Sequence, residues 1–293
     1  MNNVNGILLI VGSMAAFALE DMFIKHLSVT VPTGQILVAL GLVCGLIFLI
    51  MAVATRKSVF DPLAWKPLPI ARAATEAFGA ITFVTALSLV ELSTVAAVFQ
   101  AMPLAVTMGA ALFLGEHVGW RRWSAIGVGF VGVLMIIRPG LEGFQPESLF
   151  VVVSVFAIAA RDLITRRLDV RIASSVVAFQ AYIAVTLAGV VLMVMFAQPI
   201  VPLQSAQIGP FIGAIGFGVL GYYGIVTAMR IGEASALTPF RYTRLVFSIA
   251  AGMLMFGERP DLMTLAGAAL IISSGMYTFL RERRLARELA VTV

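Results

Sequence analysis

Eight polar residues stand inside long apolar runs of this chain: Glu20, Asp21, Glu76, Gln100, Arg161, Asp162, Arg241 and Arg244. Each costs about 2.5 to 3.5 kcal/mol or more at the centre of a membrane helix unless paired or wet. Such residues therefore mark ion pairs, solute contacts or proton relays. Arg241 and Arg244 are three apart and share a helix face, which lets two guanidinium groups grip one anion. Gln100 stands just before Pro103, and Pro103 cannot donate to the carbonyl of Phe99. A helix bent there offers a bare carbonyl and an amide to a polar ligand. Pro239 frees the carbonyl of Ser235 in the same way, and either kink serves binding or packing.

Phe17, Phe78, Phe83, Phe99, Tyr222, Tyr223 and Tyr242 lie in the same runs. A tyrosine midway across a membrane needs a partner for its hydroxyl, whereas phenylalanine is at ease against lipid or a neighbour. Together these side chains suit an amphipathic cavity for a solute with a charged head and an apolar tail. Enzyme chemistry has no such support. The two histidines, His26 and His117, fall at opposite membrane faces, and the chain has no phosphate loop, metal-ligand cluster or nucleophile motif. No enzyme activity, cofactor or metal is expected, and nothing resembles a channel filter or charged ring. The single cysteine, Cys44, supports no disulfide framework.

The elements that must position these residues are membrane helices. With 60% hydrophobic and 12% charged residues and a mean hydropathy of +1.02, the chain has too little polar surface to cover a soluble globule of 293 residues. Its apolar runs are long enough to cross about 30 Å of hydrocarbon at about 1.5 Å per residue. Ten are predicted: 4–26, 34–54, 68–90, 93–114, 122–138, 147–167, 171–197, 206–229, 235–256 and 260–281. Alternating barrel patterning is absent, so helices satisfy the backbone. The breaks are short, too short for a soluble domain. The first run is a retained helix and not a secretion signal, since no Lys or Arg precedes it and Glu20-Asp21 follow at once.

The net charge of +5 is a topology signal. With a cytoplasmic N-terminus, the inner segments collect Arg56, Lys57, Lys66, Arg72, Arg121, Arg122, Arg166, Arg167, Arg171, Arg230, Arg281, Arg283, Arg284 and Arg287, against Lys25, Arg138 and Arg259 outside. Both termini are then cytoplasmic, in a bacterial-type inner membrane. No nucleic-acid patch lies behind the basic balance. Counting rise from the inner face, Arg161, Asp162 and Arg241 fall in one layer and Glu20, Asp21 and Gln100 in another, deeper one. Asp162 with Arg241 is either a fixed ion pair or a solute contact. Glu20 and Asp21 either line a cavity or approach the outer interface with Lys25 one turn on.

The chain also says one thing twice. LGEHVGWRRW opens at Leu114 and FGERPDLMTL at Phe256, each running into an apolar segment rich in small residues. A shift of 142 places Gly79, Glu91, Ser93, Leu112, Gly115 and Glu116 on Gly221, Glu233, Ser235, Leu254, Gly257 and Glu258. A shift of 141 places Ser13, Ala16, Ala18, Asp21 and Leu27 on Ser154, Ala157, Ala159, Asp162 and Leu168. Two five-helix repeats follow, residues 1–140 and 141–293 of one membrane domain. Because five is odd, the second copy enters from the opposite side, which gives two nearly equivalent packings and a route to alternating access.

Ten helices, two five-helix halves and a Gly-Glu element between the fourth and fifth helix of each half resemble the drug/metabolite transporter superfamily, EamA branch. The resemblance covers essentially the whole chain. One departure is that Trp120 to Trp123 supply aromatic and basic residues where the family often has a polar one. The resemblance implies a secondary transporter that exports small metabolites, above all amino acids, through a central cavity between the first, third, fourth, sixth, eighth and ninth helices. Candidates for that cavity are Gln100, Phe99, Phe78, Glu20, Asp21, Tyr223, Arg241, Tyr242 and Arg244. Export of organic cations or of anionic metabolites are the alternatives. The expected partners are a small-molecule solute and the bilayer, with the chain acting as a monomer.

Overall fold

The computed structural model describes residues 3–116, 118–169, 171–231 and 237–291, and those residues are all-helical or loop. The helices are α1 Asn3–Ser28, α2 Thr33–Ala54, α3 Pro67–Leu89, α4 Leu92–Phe99, α5 Met102–Phe113, α6 Trp120–Ile137, α7 Leu149–Thr165, α8 Ser174–Met195, α9 Ser205–Ile231, α10 Thr243–Phe256 and α11 Leu262–Val291. Among the described residues, nine segments are long and apolar enough to cross a membrane, α4 with α5 making one of them. The remaining predicted span, 235–256, begins outside the described residues. From Thr238 to Tyr242 it is a 3₁₀ turn around Pro239, and α10 follows. His117 and Ser235 likewise lie outside the described residues.

The chain forms two compact units that interleave in sequence. One comprises Met1–Met22, Glu91–Pro146 and Phe217–Val293, the other Phe23–Val90 and Glu147–Gly216. In the first, α6 lies on α11 with backbones nearly touching: a Cβ on Gly132 would stand 2.6 Å from the carbonyl of Gly267, and the reverse holds. Glycine at both positions lets two helices approach where no hydrophobic force separates lipid from protein. The middle of α1 packs on the middle of α9 by the same device. A Cβ on Gly221 would stand 2.9 Å from the Phe17 ring, and one on Gly218 would stand 2.6 Å from Oε1 of Glu20.

The second unit rests on α2 against α8 and α3 against α7 and α8. Phe48 stacks on Tyr182 at 5.5 Å, and Gly79 leaves room for Ile158. Side-chain amides hold its loops: the buried Gln180 Nε2 donates to the Ala64 carbonyl at 2.6 Å, and the half-buried Gln35 Nε2 to that of Val201 at 2.7 Å. Lys25, one turn beyond Glu20 and Asp21, accompanies them to the outer interface in one of the two sequence readings. Its ammonium instead donates to the carbonyls of Val90 and Leu87, where the last turn of α3 has no intrahelical donor to use them.

The repeated Gly-Glu element has a single geometry. Gly115 and Gly257 both adopt left-handed backbone, φ 69° and 65°. The next N–H turns back six residues, Glu116 to the carbonyl of Ala110 at 3.2 Å and Glu258 to that of Gly252 at 3.1 Å. This is the glycine-terminated helix end in which the backbone closes on itself, and only glycine takes that φ without strain. Glu258 has a second task. Its carboxylate, buried to 7% exposure, accepts from the Leu92 N–H at 2.6 Å, the Ser93 N–H at 2.9 Å and the Ser93 hydroxyl at 2.8 Å. It thereby caps α4 from a place 165 residues away in sequence.

Replacing Glu258 with alanine should strand two N–H groups and lower stability by about 1 to 3 kcal/mol, read as a fall in the melting temperature in detergent. An unchanged melting temperature would show that α4 needs no cap. At the facing ends of α6 and α11, the Arg138 guanidinium and the Thr264 N–H hold the Asp261 carboxyl down at about 2. Its folded value lies below its ordinary one, so the pair contributes above about pH 4 and the contribution fades as pH falls toward 2. The effect is small, because Asp261 is half exposed. Arg138→Ala should return that carboxyl toward its ordinary range in a carboxyl-resolved NMR titration.

Candidate functional site

The first unit gathers a charged and aromatic cluster from three helices. From α1 come Phe17, Glu20 and Asp21, one helical turn of a single face, and α4 ends on Phe99. Arg244 projects from the first turn of α10, where the 3₁₀ turn around Pro239 delivers the chain. Its Nη2 lies 2.6 Å and its Nε 3.2 Å from Oδ2 of Asp21. Its guanidinium carbon stands 5.4 Å from the ring centre of Phe17 and 5.4 Å from that of Phe99. A guanidinium over aromatic faces gains about 2 kcal/mol when desolvated, so the two rings replace part of the hydration that the arginine gives up. The side chains of Asp21 and Arg244 keep 4% and 19% of their exposure, which makes this a buried ion pair.

Glu20 stands beside this pair in another condition. Its carboxylate lies against the bare Cα of Gly218, where a side chain would displace it. It makes no hydrogen bond and no ion pair among the described residues, and the charged groups that act on it are Asp21 and Arg244. Gln100 is also singular. It is 8% exposed, and its amide has no hydrogen-bond partner among the described residues. The expected bend is a true break: α4 stops at Phe99, the Gln100 and Ala101 N–H groups turn back only three residues, and α5 starts afresh with Pro103 in its first turn. Proline fits there because a first-turn residue needs no donor.

A second polar cluster belongs to the other unit. Arg161 of α7 donates to Glu76 of α3 at 2.7 Å and, at 2.9 and 2.7 Å, to its neighbour Asp162. Arg72 reaches Glu76 at 2.9 Å. The four charges alternate and cancel. Beside them opens an apolar groove of about 460 Å³ lined by Ala74, Thr75, Phe78, Val153, Phe156 and Ala157.

The sequence expectations divide accordingly. Asp162 was paired with Arg241, but its partner is the adjacent Arg161. Adjacent residues on a helix point about 100° apart and rarely meet, so spacing argued against a bond that the long arginine chain makes anyway. Arg241 belongs to the other unit and is exposed, and it does not share the buried position of Arg244. Tyr242 presses its hydroxyl onto Gly275 of α11 and serves packing there. Tyr223, at 66%, and Phe78, at 54%, stand on exposed helix faces. Glu76 was not among the site candidates, although its place four residues after Arg72 and within an apolar span was a usable signal.

The EamA-like transporter family matches residues 4–138 and, a second time, residues 145–280. The two matches start 141 residues apart (145 − 4), so the doubling read from the sequence is borne out. An S-adenosylmethionine uptake transporter of Rickettsia conorii is 29% identical over 207 residues, 71% of this chain and 69% of that protein. A riboflavin transporter of Rhizobium johnstonii is 29% identical over 226 residues, 76% and 73% of the two chains. A pseudopaline exporter of Pseudomonas aeruginosa is 27% identical over 279 residues, 92% and 93% of the two chains. A solved crystal structure is alike in fold, with a TM-score of 0.63 at 19% identity over 96% of this chain and 98% of its own.

The Asp21 and Arg244 pair should respond asymmetrically to substitution. Asp21→Ala or Arg244→Ala alone leaves one charge buried and should cost about 3 to 5 kcal/mol, seen as lost monodisperse protein in size-exclusion chromatography. Asp21→Asn combined with Arg244→Gln should recover much of that yield. Equal losses in the single and double variants would show that the two charges do not support each other.

Proposed function

The chain belongs to the EamA-like transporter family, and from that premise we propose that it exports small metabolites bearing an α-amino-acid head group by alternating access. That it is a multi-pass membrane transporter of a small molecule follows from the family and from its relatives. The finer reading rests on one observation: in the first unit a carboxylate with no ion partner among the described residues, Glu20, stands beside an arginine set over two phenylalanine rings. An ammonium group suits Glu20, and an apolar side chain suits Phe17 and Phe99. Gln100 supplies an amide able to donate and accept.

S-adenosylmethionine, named for the Rickettsia relatives, carries such a head group. For direction, a pseudopaline exporter is matched over nearly its whole length, which supports export. An inner-membrane location of bacterial type, cytoplasmic termini and a monomeric state belong to the same proposal. A purely anionic solute fits less well, because Asp21 already occupies Arg244.

Proteoliposomes offered L-methionine, S-adenosylmethionine, riboflavin, a sugar phosphate and a cationic dye should move the first two in preference to the others. Gln100→Ala should weaken binding by about 0.5 to 1.5 kcal/mol, roughly a two- to tenfold rise in half-saturation, in a protein that still inserts and folds. Dye flux without flux of either amino-acid solute would overturn the reading, and full affinity in Gln100→Ala would remove that amide from the site.

A further inference from the structure

The apolar groove of the second unit takes no part in the solute reading. Ile70, Ala71, Ala74 and Phe78 of α3 are exposed, as are Leu149, Val153 and Phe156 of α7, and spacings of three and four put each set on one helix face. The groove of about 460 Å³ lies between these two stripes. The charges of the same helices are engaged elsewhere: Arg72, Glu76 and Arg161 meet across the seam where Gly79 admits Ile158. Thr75, the polar member of the lining, donates its hydroxyl to the Arg72 carbonyl at 2.9 Å. The wall is thus hydrocarbon with no polar group to offer, which suits a lipid chain and not a water-filled passage.

One end of this seam is basic. Lys66 precedes α3, Arg166 and Arg167 follow α7, and all three are exposed. Arg72 Nε donates to Thr165 Oγ1 at 3.4 Å, which joins the two helix ends. Asp169, the next acid along the chain, is engaged by Arg171 through both oxygens. Trp65, 42% exposed, stands beside Lys66 with its indole N–H on the Val59 carbonyl at 2.8 Å, the kind of ring that settles at headgroup level. At about 1.5 Å per residue, Ala74 and Phe78 lie about 12 and 18 Å along α3 from Lys66, and Phe156 about 15 Å along α7 from Arg166. One leaflet of hydrocarbon is about 15 Å deep, half of about 30 Å. Resting on the membrane placement of the chain and not on the choice of solute, we propose that the α3–α7 seam is a lipid site. It seats an acyl chain of an anionic glycerophospholipid whose phosphate lies against Lys66, Arg166 and Arg167. Arginine carries five donors and lysine three, so these side chains can serve a phosphate in addition to any bond within the protein. A phosphatidylcholine brings its own cation to the basic end and is disfavoured there, whereas the glycerol head of a phosphatidylglycerol brings none.

Phosphatidylglycerol and phosphatidylcholine with identical acyl chains form the probe pair. The full chain, offered equal amounts of both in detergent and weighed by native mass spectrometry, should retain phosphatidylglycerol about fivefold or more over phosphatidylcholine. Lys66→Ala combined with Arg166→Ala and Arg167→Ala should bring the two lipids to near-equal retention. Ala74→Trp, which fills the groove from an exposed position, should lower retention of phosphatidylglycerol about threefold or more with the basic end intact. Leu254→Trp, at an exposed position of the other unit, should leave retention unchanged. Equal retention of the two lipids by the unaltered chain overturns the inference, and that comparison needs no variant to fold. Unchanged preference in the triple variant overturns the headgroup contact. Full retention in Ala74→Trp, or an equal loss in Leu254→Trp, overturns the groove. Glycerophosphoglycerol, the same headgroup without chains, should not displace the bound lipid; displacement would show a free-phosphate site and overturn the lipid assignment. None of these outcomes bears on which solute is carried, so the transport reading stands or falls separately.

Discussion

Hydrocarbon offers no partner to a polar group, and most of this structure follows from that constraint. Each charge or amide within a span must find its partner inside the protein or be a place where something else binds. Asp21 finds Arg244, Glu76 and Asp162 find Arg161, and Lys25 finds the carbonyls that end α3. Glu20 and Gln100 find no hydrogen-bond partner among the described residues. These exceptions are what single out the candidate site, since a polar group within a span that lacks a partner is a natural place for a ligand.

The same constraint governs the backbone. The fourth span is interrupted at Gln100 and Ala101, and the freed groups are handled locally by bonds three residues long. At its other end α4 donates three hydrogen bonds to the Glu258 carboxylate. This eight-residue helix is thus held at its start by a carboxylate and finished by Phe99 under the guanidinium of Arg244. Capped ends let a short helix exist where a continuous one would place Gln100 differently.

Glycine takes the role that the hydrophobic effect plays in water. Gly132 with Gly267, and Gly218 and Gly221 with Glu20 and Phe17, allow approaches that any Cβ would forbid. Dispersion between close surfaces is then the main force holding apolar helices together. At Gly218 the approach also shapes the chemistry, since the missing side chain is what leaves space for a carboxylate.

Membrane placement, the spans, the doubled architecture and the polar residues of interest were legible in the sequence. Hydropathy, small-residue spacing and the cost of charge in lipid are written locally along the chain. So was the break at Pro103, because a missing N–H is a property of one residue. Partner choice was not legible. Asp21 and Arg244 are 223 residues apart, and Glu258 and Ser93 are 165 apart. Which pairs meet depends on how each helix is rotated and crossed against its neighbours. Depth alone offered Asp162 to Arg241, whereas side-chain reach gave it to Arg161. Sequence determines which groups must be satisfied, since desolvation acts on each residue where it stands. The tertiary structure decides who satisfies them, since a hydrogen bond is fixed by the placement of two atoms within about 3 Å.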